Sequence, residues 1–348
     1  FKSVTDDDCV WKLKRGESEL IVATVVDDMI QVTNDDALLK EFNDFLRSRF
    51  TITDNGRVEH FLGVHFTHSD DGLHASQEGF IERCLMKFNL IDQPACQMPM
   101  QKGYTVSEKD LAENPKQEHI TLLRAMLGCL SYLMTWTRPE IAYPVNLLAR
   151  YTSKASPALI EQAKKIFRYL SGTKDWGIRF PRDDPLGRGE RLVCYVDASD
   201  ADCSLTRRST GGHVVFWNGV PIAWRSARQA LVTLSTAESE YVQATLACQE
   251  VLYLRDMFEG LGIPQDEPTV IYEDNKAAID LSENPCNRGR SKHIARRWHF
   301  VRQCRDNGDV LLAKVDGTRN TADVFTKSVS HELFVLFRDN LGLRPSGK

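Results

Sequence analysis

Beyond residue 190 the strand-like runs of this chain end on acids, and this constrains its fold more than any other feature. RLVCYVD closes on Asp197 and TVIYED on Asp274, each after an apolar run. Glu240 falls in the first turns of a long helical pattern, and Asp323 near the start of the last one. Acids at the ends of different elements can converge on one edge of a sheet, where like charges repel unless cations bridge them. Taken singly, each acid reads more readily as a cap or a solvated terminus. The four in this order of elements point to hard divalent ions with oxygen ligands, Mg²⁺ above all. Two such ions ~3.5–4 Å apart can stabilise both the attacking water and the leaving oxygen of a phosphodiester.

The surrounding pattern supports a sheet. After PRDDPLGRGE, residues 181–190, come the strand RLVCYVD, the hairpin HVVFWNGVPIAW turning at Asn218-Gly219, and QALVTL as a further strand candidate. A helix from about 236 to 260 follows, ending at Gly260 and Gly262. Then come the strand TVIYED, the helices NKAAIDLSE and HIARRWHFVRQCRDNG, the strand VLLAKVD and the helix TADVFTKSV. This order predicts an α/β mixed sheet with helices on its faces. Upstream, residues 18–33 read as two strands meeting at Asp27-Asp28, followed by a helix capped by Asn34 or Asp35. A hairpin turning at Asp71-Gly72 and a helix near 77–88 come next. Residues 92–118 read as a loop, and helices occupy about 119–136, 139–151 and 156–171.

Bulk composition sets the outer bounds. A chain of 348 residues suggests about two domains, and 42% hydrophobic residues suffice for real cores. No apolar run approaches a membrane span. Nine cysteines without a C-x-x-C pair read as free thiols of a reducing, intracellular compartment. A net charge of −4 leaves nucleic acid open as a partner, because local basic patches make that contact. One such patch is CNRGRSKHIARRWHFVRQCR, residues 286–305, with seven Lys or Arg and no acid. Arg288, Arg290, Lys292, Arg296 and Arg297 are its candidates for a phosphate track, and Arg207 and Arg208 are weaker ones. The alternative is a solvated helix face. His293 and His299 lack further ligands at zinc spacing, so zinc is rejected.

The words YVDASDAD, RRSTGGHVVF, STAESEYVQA, YEDNKAAI, RSKHI, RRWHFVR and TADVFTK together resemble the ribonuclease H domain of copia-type LTR retrotransposons. The resemblance implies a ribonuclease H-like mixed five-stranded sheet with flanking helices over 191–328. It implies that Asp197, Glu240, Asp274 and Asp323 are the catalytic, metal-binding carboxylates, holding two Mg²⁺ ions with Mn²⁺ as a substitute. The implied substrate is an RNA–DNA hybrid. Glu238 competes with Glu240 for one of these roles. Glu240 lies nearer the face of Tyr241, Ala244, Cys248 and Val251 on a 100° wheel, and the family's acid-then-apolar word falls on it.

Upstream, HFLGVHF, LHASQEGFIERCLMKF, LLRAMLGCLSYLMTWTRPEIAYPVNLLARY and AKKIFRYLSGT are similar to the C-terminal palm, thumb and connection of copia-type reverse transcriptases. In that family the VDD word, here Asp27 and Asp28, sits at a palm hairpin tip and binds the metals of nucleotide addition; Val25 replaces the usual Tyr. The expected organisation is a partial reverse transcriptase over 1–180, a linker over 181–190, the ribonuclease H domain over 191–328 and a C-terminal tail over 329–348. A chain starting at Phe1 reads as a fragment or processed product whose polymerase site is incomplete and not expected to synthesise DNA alone. Implied partners are the hybrid and the rest of the polyprotein or reverse transcriptase, with dimerisation open and no membrane. The implied setting is cytoplasmic, in virus-like particles, with the nucleus open. The competing expectation is a catalytically silent remnant that binds nucleic acid or dimerises.

Overall fold

Short β-rich segments punctuated by turn residues build the first third of the chain into hairpins. The computed structural model describes residues 1–5, 9–182, 191–200, 202, 205–283 and 295–347. Strands β1 (Lys2–Ser3), β2 (Val10–Arg15), β3 (Ser18–Val25) and β4 (Asp28–Thr33) pair antiparallel in sequential order. Helix α1 (Asp36–Arg49) starts at Asp35, whose carboxylate accepts the amides of Ala37 and Leu38. Leu20, Val22 and Leu38 form a small core between helix and sheet. Strands β5 (His60–Phe61), β6 (Val64–Ser69) and β7 (Gly72–Ser76) continue as a meander, with Asp70 and Asp71 at the last turn. That turn lies one residue before the expected Asp71-Gly72, because Gly72 already pairs with Ser69. Helices α2 (Glu78–Lys87), α3 (Gln117–Trp136), α4 (Ala142–Ala149) and α5 (Pro157–Ser171) match the four expected helical patterns.

Strand β8 (Trp176–Pro181) joins β7, and beyond it the second architecture begins. Strands β9 (Leu192–Ser199), β10 (Thr210–Trp217) and β11 (Val220–Arg228) are antiparallel neighbours. Asn218 and Gly219, both in the left-handed region at φ +51° and +77°, make the tight turn expected there. Helix α6 (Thr236–Leu261) leads to β12 (Thr269–Glu273), α7 (Lys276–Glu283), α8 (Ala295–Asp306) and β13 (Val310–Lys314). β12 lies parallel to β9, and β13 parallel to β12, giving the order β11-β10-β9-β12-β13. This is the ribonuclease H-like mixed five-stranded sheet with helices on its faces.

Three expectations are corrected. QALVTL, residues 229–234, is not a strand despite its β-branched residues. Gln229 donates from Nε2 to the carbonyl of Ser239 and the amide of Leu234 donates to Glu238, so the segment is held as a loop against the start of α6. TADVFTK forms a 3₁₀ turn over Thr321–Phe325 in place of an α-helix. Residues 329–348 are not a tail: they contain α9 (His331–Asn340) and β14 (Leu343–Pro345), which pairs antiparallel with β8.

Two cores flank the mixed sheet. Leu192, Cys194, Val196, Val215, Ile271, Val310 and Leu312 face Tyr241, Cys248, Val251 and Val301 of α6 and α8. On the other face Val214, Phe216 and Val220 join a larger core with Leu130, Leu148, Phe167 and Phe337. The helical region and the mixed sheet therefore share one apolar interior, and Trp224 ties them further by donating to the carbonyl of Met134 at 2.7 Å. Of the expected linker, residues 183–190 lie outside the described residues.

Candidate active site

The central pair of parallel strands brings two acids to one end of the sheet. Tyr195 of β9 and Tyr272 of β12 are register partners, and their rings stack with centroids 5.0 Å apart. Side chains two residues further along a strand share a face, so Asp197 and Asp274 emerge together. Asp323 arrives on the 3₁₀ turn, which is pinned to β9 by buried Asn320. The amide of that side chain donates to the Val196 carbonyl at 2.9 Å, and its oxygen accepts the Ala322 amide at 3.2 Å. Gly212, the register partner of Asp197, lets the turn approach, since a Cβ there would lie 2.5 Å from Phe325 Cβ. Thr326 donates its hydroxyl to Asp197 Oδ2. Ligand-capable oxygens of Asp197, Asp274 and Asp323 all lie within 4.8 Å of one another.

Glu240 reaches the same edge from the other side. Ser235 caps α6 by accepting the Glu238 amide, and Glu238 Oε2 accepts the Leu234 amide at 2.8 Å. Glu238 is thus occupied in holding the helix start, while Glu240, one-half turn on, belongs to a second group with Glu273 and Asp274, again within 4.8 Å. Glu273 was missed by sequence reasoning. Its signal was available: Thr269, Ile271 and Glu273 share the buried register of β12, and an acid in that register is out of place in a plain core.

Burial dominates the electrostatics. Desolvation, reinforced by the charge of Asp197, pushes the Asp323 carboxyl up to about 7. Burial likewise carries Glu273 up to about 8, although the Asn275 amide on its Oε1 pulls the other way. Glu240 is raised well above the usual carboxylate range by burial first and by Glu273 next, and Asp274 is raised by burial and then Asp197. Among the described residues, the Lys327 ammonium pairs with these acids, standing 2.9 Å from Asp323 Oδ1 and 3.6 Å from Asp197 Oδ2. Burial disfavours its charge, but Asp197 and Asp323 outweigh that and hold Lys327 above its ordinary value. An oxygen-only donor set with buried, unpartnered oxygens at Glu240 Oε2 and Glu273 Oε2 fits a hard divalent ion.

The other candidates are dispersed. Asp27 and Asp28 are exposed at the tip between β3 and β4, and among the described residues no third ligand joins them in a metal-capable group. Arg207 is exposed, Arg208 half-buried and Arg297 half-buried on α8. The side chain of Arg296, and all of Arg288, Arg290 and Lys292, lie outside the described residues.

Residues 1–102 match the family model described as reverse transcriptase (RNA-dependent DNA polymerase). Over 344 residues the chain is 32% identical to the retrovirus-related Pol polyprotein from transposon TNT 1-94 of Nicotiana tabacum, covering 97% of this chain and 25% of that protein. The polyprotein from transposon RE1 of Arabidopsis thaliana is also 32% identical, over 99% of this chain and 23% of its own length. The chain belongs to the copia-type retrotransposon polyproteins. It spans about a quarter of the length of these curated relatives. Among solved structures, the foamy viral protease-reverse transcriptase dRH in complex with double-stranded DNA is similar at a TM-score of 0.48 and 15% identity, over 85% of this chain and 46% of that one. No helix among the described residues of this family member is long and apolar enough to cross a membrane.

Proposed function

We propose that the acidic edge is the catalytic centre of a metal-dependent endonuclease that cuts the RNA strand of RNA–DNA hybrids, as part of a retrotransposon reverse transcriptase. The observation that carries this reading is the convergence of Asp197, Asp274 and Asp323, from three separate elements, onto one oxygen-lined position, with Asp274 shared by a second group that contains Glu240. Two Mg²⁺ ions, or Mn²⁺ in their place, would supply Lewis acidity toward the scissile phosphate and an acidified water. Asp274 would serve both positions, Asp197 and Asp323 would complete one, and Glu240 would serve the other and orient the water through its unpartnered oxygen. Thr326 keeps Asp197 from rotating away. Lys327 offsets the charge of Asp197 and Asp323. Arg207, Arg208 and Arg297, with Arg288, Arg290, Lys292 and Arg296, supply the sequence-independent hold on phosphate. The remainder of the polyprotein or reverse transcriptase, or a second copy of the chain, is the expected protein partner.

Cleavage of an end-labelled RNA strand annealed to DNA tests this. Labelled fragments are expected with Mg²⁺ or Mn²⁺ and none with a chelator, with the DNA strand left whole. Intact RNA, with the hybrid still retained on a filter, would contradict the nuclease reading and favour a catalytically silent module that binds nucleic acid.

A further inference from the structure

β12 delivers two successive acids to the edge, and they face different ways. Glu273 lies in the register of Thr269 and Ile271, toward α6, whereas Asp274 follows the last strand residue and shares the side of Asp197. Glu273 is 0% exposed and Glu240 3%. A carboxylate so placed ordinarily finds donors for its oxygens, because leaving them unmet is costly. Glu273 Oε1 does accept the Asn275 amide at 2.8 Å. Glu273 Oε2 and Glu240 Oε2 meet no donor, and among the described residues no cationic side chain pairs with either. Lys327 serves the opposite group, through Asp323 and Asp197. The two carboxyl side chains nonetheless lie with oxygens within 4.8 Å of each other and of Asp274.

We propose that Glu273 is a fifth ligand carboxylate of this edge, completing with Glu240 and Asp274 a second divalent-cation position on the α6 side of the sheet. Asp274 then links the two positions: one with Asp197 and Asp323, the other with Glu240 and Glu273. The proposal rests on reading the edge as a metal-dependent nuclease site, and it departs from the four-acid expectation by giving the residue before Asp274 a role. A hard ion with oxygen ligands is the occupant whose chemistry suits three carboxylates. The competing arrangement is a structural pair, in which Glu240 and Glu273 share a proton and hold no ion.

Titration of the full chain with Mn²⁺, without nucleic acid and with free Mn²⁺ followed by electron paramagnetic resonance, separates the two. Two ions are expected for the parent. Glu273→Gln should keep one and weaken the other by about tenfold or more, while Asp323→Asn weakens the opposite one. Their combination should lose both. Glu273→Asp, which keeps a carboxylate on a shorter stem, should recover part of the loss. Unchanged Mn²⁺ binding by a Glu273→Gln chain that melts like the parent would overturn the proposal, as would a parent that binds a single ion abolished by Asp323→Asn. Hybrid cleavage keeps the two claims apart. An ion lost with Glu273→Gln in a chain that never cuts hybrid preserves the site and sinks the nuclease. Cleavage by Glu273→Gln with the parent's metal dependence preserves the nuclease and sinks the site.

Discussion

The chain carries two neighbouring-acid words, VVDD and YEDN, and they meet opposite fates. Asp27 and Asp28 project from a hairpin tip into solvent, with Val26 at φ +55° in the left-handed region beside them. Glu273 and Asp274 end a strand whose sides are covered by α6 and by the 3₁₀ turn, and they meet Asp197, Glu240 and Asp323 there. Adjacency of acids therefore says little by itself. What distinguishes the second pair is a parallel strand beside it that also ends on an acid, together with two further elements that return to the same edge. Solvent settles the first pair at little cost, whereas the second retains its charge only with a cation nearby.

The sharpest way to break this contrast is Asp274→Asn. Asp274 is common to both groups, so its loss should weaken both ion positions and lower hybrid cleavage by about a thousandfold, on the view that a bound ion is worth several kcal/mol in the transition state. Single-turnover cleavage at saturating Mg²⁺ would read this.

Next in size is a pH effect on the metal-free chain. Asp323 and Glu273 titrate near 7 and 8 in the folded state, above the ordinary carboxylate range near ~4 of the unfolded chain. The folded state therefore binds protons that the unfolded state has released, and stability falls as pH rises from about 4 through these values. In chelator the melting temperature should drop between pH 5 and pH 8, on the order of 5 °C. Millimolar Mg²⁺ should flatten that slope; a slope unchanged by Mg²⁺ would argue against a cation site.

Much of this was legible beforehand. Strand-ending Asp197 and Asp274, the long helix carrying Glu240, and the Asn218-Gly219 turn follow from local pattern, because alternation and turn chemistry act over a few residues. Glu273 was hidden by that same local view, since it reads as the neighbour of Asp274 until the inward register of β12 is followed to its end. Lys327 carries no signal of its own in the sequence: Asp323 stands four residues before it, but its second partner Asp197 lies on β9, far away in sequence. Residues 229–234 favour a strand by propensity, yet side-chain bonds to α6 override it. Residues 329–348 fold as α9 and β14 in place of the expected tail, with Phe334 and Phe337 at helical spacing and both buried.

A smaller effect belongs to Lys327. Its side chain is 45% exposed, so screening discounts the ion pairs, and Lys327→Met should cost the metal-free chain about 1–2 kcal/mol. With Mg²⁺ present the deficit should shrink, because the ion replaces the ammonium; calorimetric melts in chelator and in Mg²⁺ would compare the two. Smallest of all are changes at the exposed tip. Asp28→Asn should alter stability by no more than about 0.5 kcal/mol. Val26→Gly should stabilise the hairpin by roughly 1 kcal/mol, because a β-branched residue is strained at positive φ. Denaturant midpoints suffice for both.

Side-by-side cleavage of one end-labelled RNA–DNA hybrid by the parent, Asp274→Asn and Asp28→Asn chains, in Mg²⁺, tests the central contrast most directly. The expected result is cutting by the parent and by Asp28→Asn at similar rates, with Asp274→Asn silent. Cutting by Asp274→Asn at the parent's rate would contradict the assignment of the buried edge as the catalytic centre.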